Sequence, residues 1–231
     1  MNTHSYPSAT TVYASGIAQE RNRVLRNTYW LLSLSMIPTV LGAWLGVATG
    51  IASMMSSGVG LVVFLAGSFG FMFAIEKTKN SAAGVPVLLA CTFFMGVMLS
   101  RWIGSVLGLS NGANLIMMAF AGTGGVFLAM ATLSAVITRD LSSMGKFLFI
   151  GMIMLLVAGI ANFFIQSSAL MITLSVLAIG IFSAFILYDL KRVQDGEETN
   201  YISATLGVYL SLYNVFQSLL ALLGVVGGRD E

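Results

Sequence analysis

Between residues 28 and 226 the chain reads as seven apolar runs of about 18 to 25 residues, joined by short links that hold most of the charge of that stretch. A helix needs about 20 apolar residues to cross a bilayer, and in hydrocarbon its backbone polar groups must bond within the segment. Each run is therefore expected to be a transmembrane helix. Only 9% of the 231 residues are charged and 57% are hydrophobic, against about 25% charged in a soluble domain. The mean hydropathy of +0.91 agrees. The fold class that follows is an all-α polytopic membrane protein with seven transmembrane helices. Residues 1–27 are expected to form a flexible cytoplasmic N-terminal tail, 28–226 the transmembrane domain and 227–231 a short C-terminal tail.

Residues 1–18 are rich in Ser, Thr, Ala and Tyr and carry no Lys, Arg, Asp or Glu, a composition that reads as disordered. Arg21, Arg23 and Arg26 follow as a basic anchor. The first helix is expected over 28–52 with Pro38 inside it, the second over 58–75 and the third over 84–107 with Pro86 in its first turn. The fourth is expected over 114–138, the fifth over 147–165 and the sixth over 169–190. Gly60, Gly67 and Gly70, and the run Gly122-Thr123-Gly124-Gly125, read as close helix-packing positions. Arg101 lies well inside the third run. It either snorkels to the interface beside Trp102 or pairs inside the bundle. Asn162 and Gln166 are expected to bond neighbouring helices or the interface, and Asp140 or Ser142 to cap a helix.

The seventh run, residues 202–224, differs from the rest. At about 100° per residue, Thr205, Tyr209, Tyr213 and Gln217 drift round one side and Ser211, Asn214 and Ser218 widen the polar arc. About a third of the circumference stays apolar, at Val208, Leu212, Val215 and Leu219. Amides and hydroxyls on most sides are least costly when other helices enclose them. The last helix is thus expected to be central. The other readings are a peripheral helix with its apolar third towards lipid, or a re-entrant one.

Nine of the eleven Lys and Arg residues fall in the N-terminal segment and in the links after the second, fourth and sixth helices. The positive-inside rule then places the N-terminus and the 191–200 link in the cytoplasm. The net charge of +2 gives no basis for nucleic-acid binding. The one histidine, His4, lies in the N-terminal segment, and Cys91 is the one cysteine. A Ser/His protease, a multi-Cys metal site and a metal hydrolase are therefore not expected, and no cofactor is. Asp189 and Asp195 lack the context of an aspartyl intramembrane protease, so the chain is not expected to be an enzyme.

What remains is the cytoplasmic mouth. Asp189 ends the sixth helix against the apolar stretch Ser183–Tyr188, and Asp195, Glu197 and Glu198 follow it. A carboxylate at that depth needs a cation or hydrogen bonds, and Lys77, Arg139 or the polar face of the last helix are the expected sources. For the other charges the plain alternative is a solvated rim.

Tyr188-Asp189-Leu190, followed by Ala204 and then by Tyr209-Leu210-x-Leu212-x-Asn214-x-Phe216, resembles the Bax inhibitor-1 (TMBIM) family. Gly196 to Ile202 and Val208 to Asn214 resemble its proteobacterial, YccA-like branch, as does Val24 to Leu34. The resemblance spans residues 23–224 and implies a seven-helix membrane protein of the bacterial inner membrane. Calcium-leak members carry one aspartate ending the sixth helix and another in the seventh. Asp189 matches the first, and Ser211 stands where the second would be. Two readings follow from the resemblance. One is a substrate and modulator of the membrane AAA protease FtsH, assembled with HflK–HflC and gripped by its N-terminal segment. The other is a proton-sensitive calcium or cation leak, lined by Ser211, Asn214 and Gln217 and gated near Asp189.

Overall fold

The computed structural model describes the backbone of residues 9–227 and the side chains of residues 19–227. Its helices are α1 (Ala9–Thr49), α2 (Ile51–Met54), α3 (Ser57–Thr78), α4 (Gly84–Leu107), α5 (Gly112–Val136), α6 (Met144–Ile165), α7 (Ser168–Asp195) and α8 (Tyr201–Gly227). All but α2 are long and apolar enough to cross a membrane, seven in number among the described residues. The fold is all-helical, as the apolar runs predict.

The helix ends follow local chemistry. Gly50 (φ 66°) separates α1 from α2, and Gly196 (φ 81°) ends α7 in the left-handed conformation that glycine adopts without steric cost. The Ser56 and Ser167 hydroxyls accept the Val59 and Leu170 amides at the starts of α3 and α7. Asn162 serves its own turn rather than a neighbouring helix: its Oδ1 accepts the Ser167 amide at 3.1 Å, where Gln166 turns the chain at φ 54°. Asp140 accepts the Ser142 amide at 2.7 Å in the α5–α6 link, and these Ser142 contacts hold its carboxyl below the usual range.

α1 begins at Ala9, well before the expected start near residue 28, and runs through Pro38 as one helix. A segment with little helix signal of its own is added cheaply to a formed helix, because propagation needs no new nucleus. Residues 19–27 are not a loose tail: Val24 is buried against Val193 and Ala204. Residues 1–8 and 228–231 lie outside the described part.

The most extensive helix contact is between α1 and α4. A Cβ on Gly42 would strike the Phe93 carbonyl oxygen, and one on Gly96 the Thr39 carbonyl oxygen. The two backbones therefore touch, which only glycine permits. Gly67 likewise meets the Phe94 ring, whereas Gly70, Gly124 and Gly125 face open space. The expected close packing at those three is absent because they point away from every neighbouring helix.

α8 packs against α1, α3, α4, α5 and α7. Its enclosure comes from five helices rather than six, since α6 leans on α7 and makes no substantial contact with α8. Val226 is the one exposed residue in α8 among those described. The apolar third is buried too: Val208 and Val215 are inaccessible, in the same core as Leu88, Ile186, Leu190 and Tyr209. α4 is buried to the same extent as α8, so the bundle has two inner helices. The 27 residues of α8 reach about 40 Å, long enough for a full crossing.

Candidate functional site at the α7–α8 junction

Ile186, Leu190 and Val193 are fully buried and share one stripe of α7, which fixes that helix against its neighbours. Asp189 lies beside the stripe and its carboxylate is seated on Gly207 of α8. A Cβ there would come within 2.8 Å of Asp189 Oδ2. Gly207 is thus the notch that admits a carboxylate between two helices.

The expected bridge from Asp189 to Lys77 or Arg139 does not form, and Asp189 has no ion pair among the described residues. Lys77 instead covers the Phe73 ring at 5.4 Å, on α3, a helix that makes no substantial contact with α7. Arg139 is exposed, beyond the end of α5. The charges that act on Asp189 are Arg192, one turn on, and Glu198. Arg192 is itself shared: it lies 3.7 Å from Glu197, 3.9 Å from Glu198 and 5.6 Å from the Tyr188 ring. Asp195 is held by Lys191 at 2.7 Å, an i,i+4 pair on α7.

The three α8 residues expected to line a path are turned inward in different ways. Ser211 is buried at 4% exposure. Asn214 spends its amide on the Leu210 carbonyl of its own helix, at 2.7 Å. Gln217 is half-buried. Asp189 and Gly207 are brought together; Lys77 and Asp195 make contacts of their own elsewhere, and Arg139 makes no ion pair among the described residues.

Several site-building residues escape a reading of the sequence. Asn200 caps α8 by accepting the Ile202 and Ser203 amides, and its Nδ2 donates to the Lys79 carbonyl and to Asn80 Oδ1, tying the α7–α8 link to the α3–α4 turn. The Arg21 guanidinium lies over Gly196, at the C-terminal end of α7 where a cation is favoured. Tyr209 and Thr39 share a hydroxyl hydrogen bond of 2.9 Å between α8 and α1. Gln194 donates to Ser134 Oγ at 2.9 Å, joining α7 to α5. The signal for one of these was present: Thr28, Ser35 and Thr39 recur on one face of α1 at helical spacing. At the opposite end of the bundle Arg101 neither snorkels freely nor enters the core. It donates to Ser57 Oγ at 2.8 Å and to the Met55 carbonyl at 3.4 Å, clamping the link before α3.

Residues 21–228 match the family model described as inhibitor of apoptosis-promoting Bax1. The chain belongs to the Bax inhibitor-1 family. Among curated relatives it is 37% identical over 203 residues to a protein of Escherichia coli K12 named modulator of FtsH protease YccA, covering 88% of this chain and 90% of that one. It is also 37% identical over 211 residues to an uncharacterized membrane protein of Vibrio cholerae, covering 91% and 93%. An uncharacterized protein of Neisseria meningitidis is 38% identical over 213 residues, covering 91% and 94%. The expected family is therefore the right one, and the chain is a multi-pass membrane protein of that family.

Proposed function

We propose that this protein modulates an FtsH-type membrane AAA protease by occupying it as a substrate that is hard to extract. The supporting observation is that the longest helix also takes part in the most extensive helix–helix contact. α1 has 41 residues, about 60 Å, roughly twice the hydrocarbon thickness of a bilayer. Its N-terminal part therefore extends past the membrane, on the side that the positive-inside rule assigns to the cytoplasm of a bacterial cell. The same helix is keyed to α4 at Gly42, Gly46 and Gly96, where the backbones or side chains touch. A protease that grips the N-terminal segment pulls first on that seam and stalls, while competing substrates wait. The name of the Escherichia coli relative agrees with this reading. In it, this protein would act in an assembly with HflK–HflC.

The test is degradation of a membrane reporter by the protease in proteoliposomes. Full-length protein should slow reporter loss, and deletion of residues 1–18 should abolish the slowing and lengthen the deleted protein's own lifetime. Equal inhibition and equal lifetime with and without those residues would overturn the handle.

A second reading rests on Asp189. A carboxylate wedged on Gly207, with no ion pair among the described residues, is the kind of group that a cation or proton could displace. In that reading the protein is a calcium or cation leak gated at Asp189. Ser211 in place of a second carboxylate makes calcium binding weak. Calcium flux into dye-loaded liposomes at two pH values tests it on wild type, Asp189→Asn and Ser211→Asp. Flux should rise in Asp189→Asn with reduced pH response, and calcium binding should rise in Ser211→Asp. Background flux in all three would remove the leak.

A further inference from the structure

The basic residues at the charged end of the bundle are mostly engaged. Lys79, Lys191 and Arg192 meet carboxylates, Lys77 covers Phe73 and Arg21 lies on Gly196. Arg23 and Arg26 are different: both are exposed and neither has an ion pair or hydrogen bond among the described residues. Arg139, in the α5–α6 link, and Lys146, in the first turn of α6, share that state.

Arg26 heads a shallow, open groove that it forms with Asn22, Leu25, Tyr29, Trp30 and Ser33. These six residues lie on one face of α1, and from Asn22 to Ser33 the groove descends about 16 Å along the helix. Its chemistry changes with depth. Asn22 and Arg26 stand at its head, while Leu25, Tyr29 and Trp30 make the floor below. Trp30 is 73% exposed, one turn beneath Arg26, the level at which indoles settle at a membrane interface. Tyr29 is fixed by an edge-on contact with Phe127 of α5, 6.1 Å between ring centres. Ser33 spends its hydroxyl on the Tyr29 carbonyl, so the deep end offers no free donor.

We propose that this groove is a binding site for one anionic phospholipid, its phosphate at Arg26 with Arg23 on the flank and its chains along Leu25, Tyr29 and Trp30. Charge complementarity selects the occupant. Unpaired guanidiniums at the head and hydrocarbon below match a lipid that is acidic at one end and apolar at the other. An apolar partner helix laid on this face would bury both arginines without a counter-charge. The site is independent of whether the protein modulates a protease or conducts ions.

The experiment uses the full chain in vesicles, with Trp44→Phe and Trp102→Phe so that Trp30 alone emits. Quenching by brominated phosphatidylglycerol is compared with quenching by brominated phosphatidylcholine at equal mole fraction. The glycerol lipid should quench with an apparent affinity about fivefold higher, the effect of one basic residue at a membrane surface. Arg26→Gln should bring the ratio near one, and Lys146→Gln should leave it unchanged. Equal quenching by the two lipids would overturn the site. So would full selectivity in Arg26→Gln, or an equal loss in Lys146→Gln, which would assign the effect to diffuse surface charge. The lipid comparison with Arg26 intact decides the question even if Arg26→Gln does not fold.

Discussion

α6 carries a single charged residue, Lys146 near its start, and α8 carries none; both are long enough to span a membrane, yet they occupy opposite places. α6 is the more apolar by mean hydropathy and stands at the edge, with Leu148 as its one buried residue. α8 is less apolar and is enclosed, with Thr205, Tyr209, Ser211 and Tyr213 inside. In water the most apolar helix would be the core. In a bilayer lipid serves an apolar side chain as well as protein does, so hydrophobicity no longer sorts inside from outside. What sorts them is polar groups that need partners and small residues that let backbones meet.

The comparison can be broken most forcefully at the glycines. Gly96→Val places methyl groups against the Thr39 carbonyl and the Ala43 amide, both backbone. A loss of about 3 kcal/mol or more is expected, the upper range of overpacking. Gly159→Ala on α6 meets nothing within 4 Å and should be neutral or slightly stabilising. Cys91 is fully buried, so the onset of labelling by a thiol-reactive dye during heating reports both. Equal melting temperatures for the two variants would refute the direct α1–α4 seam.

A smaller effect is expected at the Asp189 seat. Gly207→Ala should cost about 1–2 kcal/mol, because the new methyl displaces a carboxylate rather than backbone. In an Asp189→Ala background the same change should cost almost nothing. Additive effects of the two substitutions would mean that the carboxylate does not occupy the notch.

The smallest effect belongs to the Tyr209–Thr39 hydroxyl pair. Tyr209→Phe removes the 2.9 Å bond to Thr39 and should cost about 0.6–1.7 kcal/mol, the range for interhelical hydrogen bonds in membranes. Phe149→Ala on the lipid side of α6 should cost less than that, because the ring is 56% exposed and little of it packs on protein. Reversal of this order would mean that α8 has no special need of its partners.

The sequence makes the helices and the enclosed character of α8 readable, because length, hydropathy and polar periodicity are properties of each segment taken alone. α4 is placed at 84–107 by its apolar run, and the structure has it there. What α4 touches is not readable in the same way. Gly42 and Gly96 are ordinary glycines until α1 and α4 are laid together, whereas Gly124 and Gly125 look equally suited to packing and meet nothing. Asp189 stands out as a carboxylate beside an apolar stretch. Its seat depends on which residue of α8 comes level with it, and that register is set by the capped link at Asn200. The basic cluster at Arg21, Arg23 and Arg26 looks uniform in the sequence. In three dimensions Arg21 meets the end of α7 and the other two face outward.

The enclosure of α8 is tested most directly by labelling single cysteines with a lipid-soluble maleimide in a Cys91→Ser background. Positions 208 and 215 on α8, inaccessible in the fold, are compared with 154 and 157 on α6, where Met154 and Val157 are exposed. The α6 sites should react readily and the α8 sites only after denaturation. Labelling of Val208→Cys and Val215→Cys in the native membrane at the α6 rate would place α8 against lipid and contradict the account.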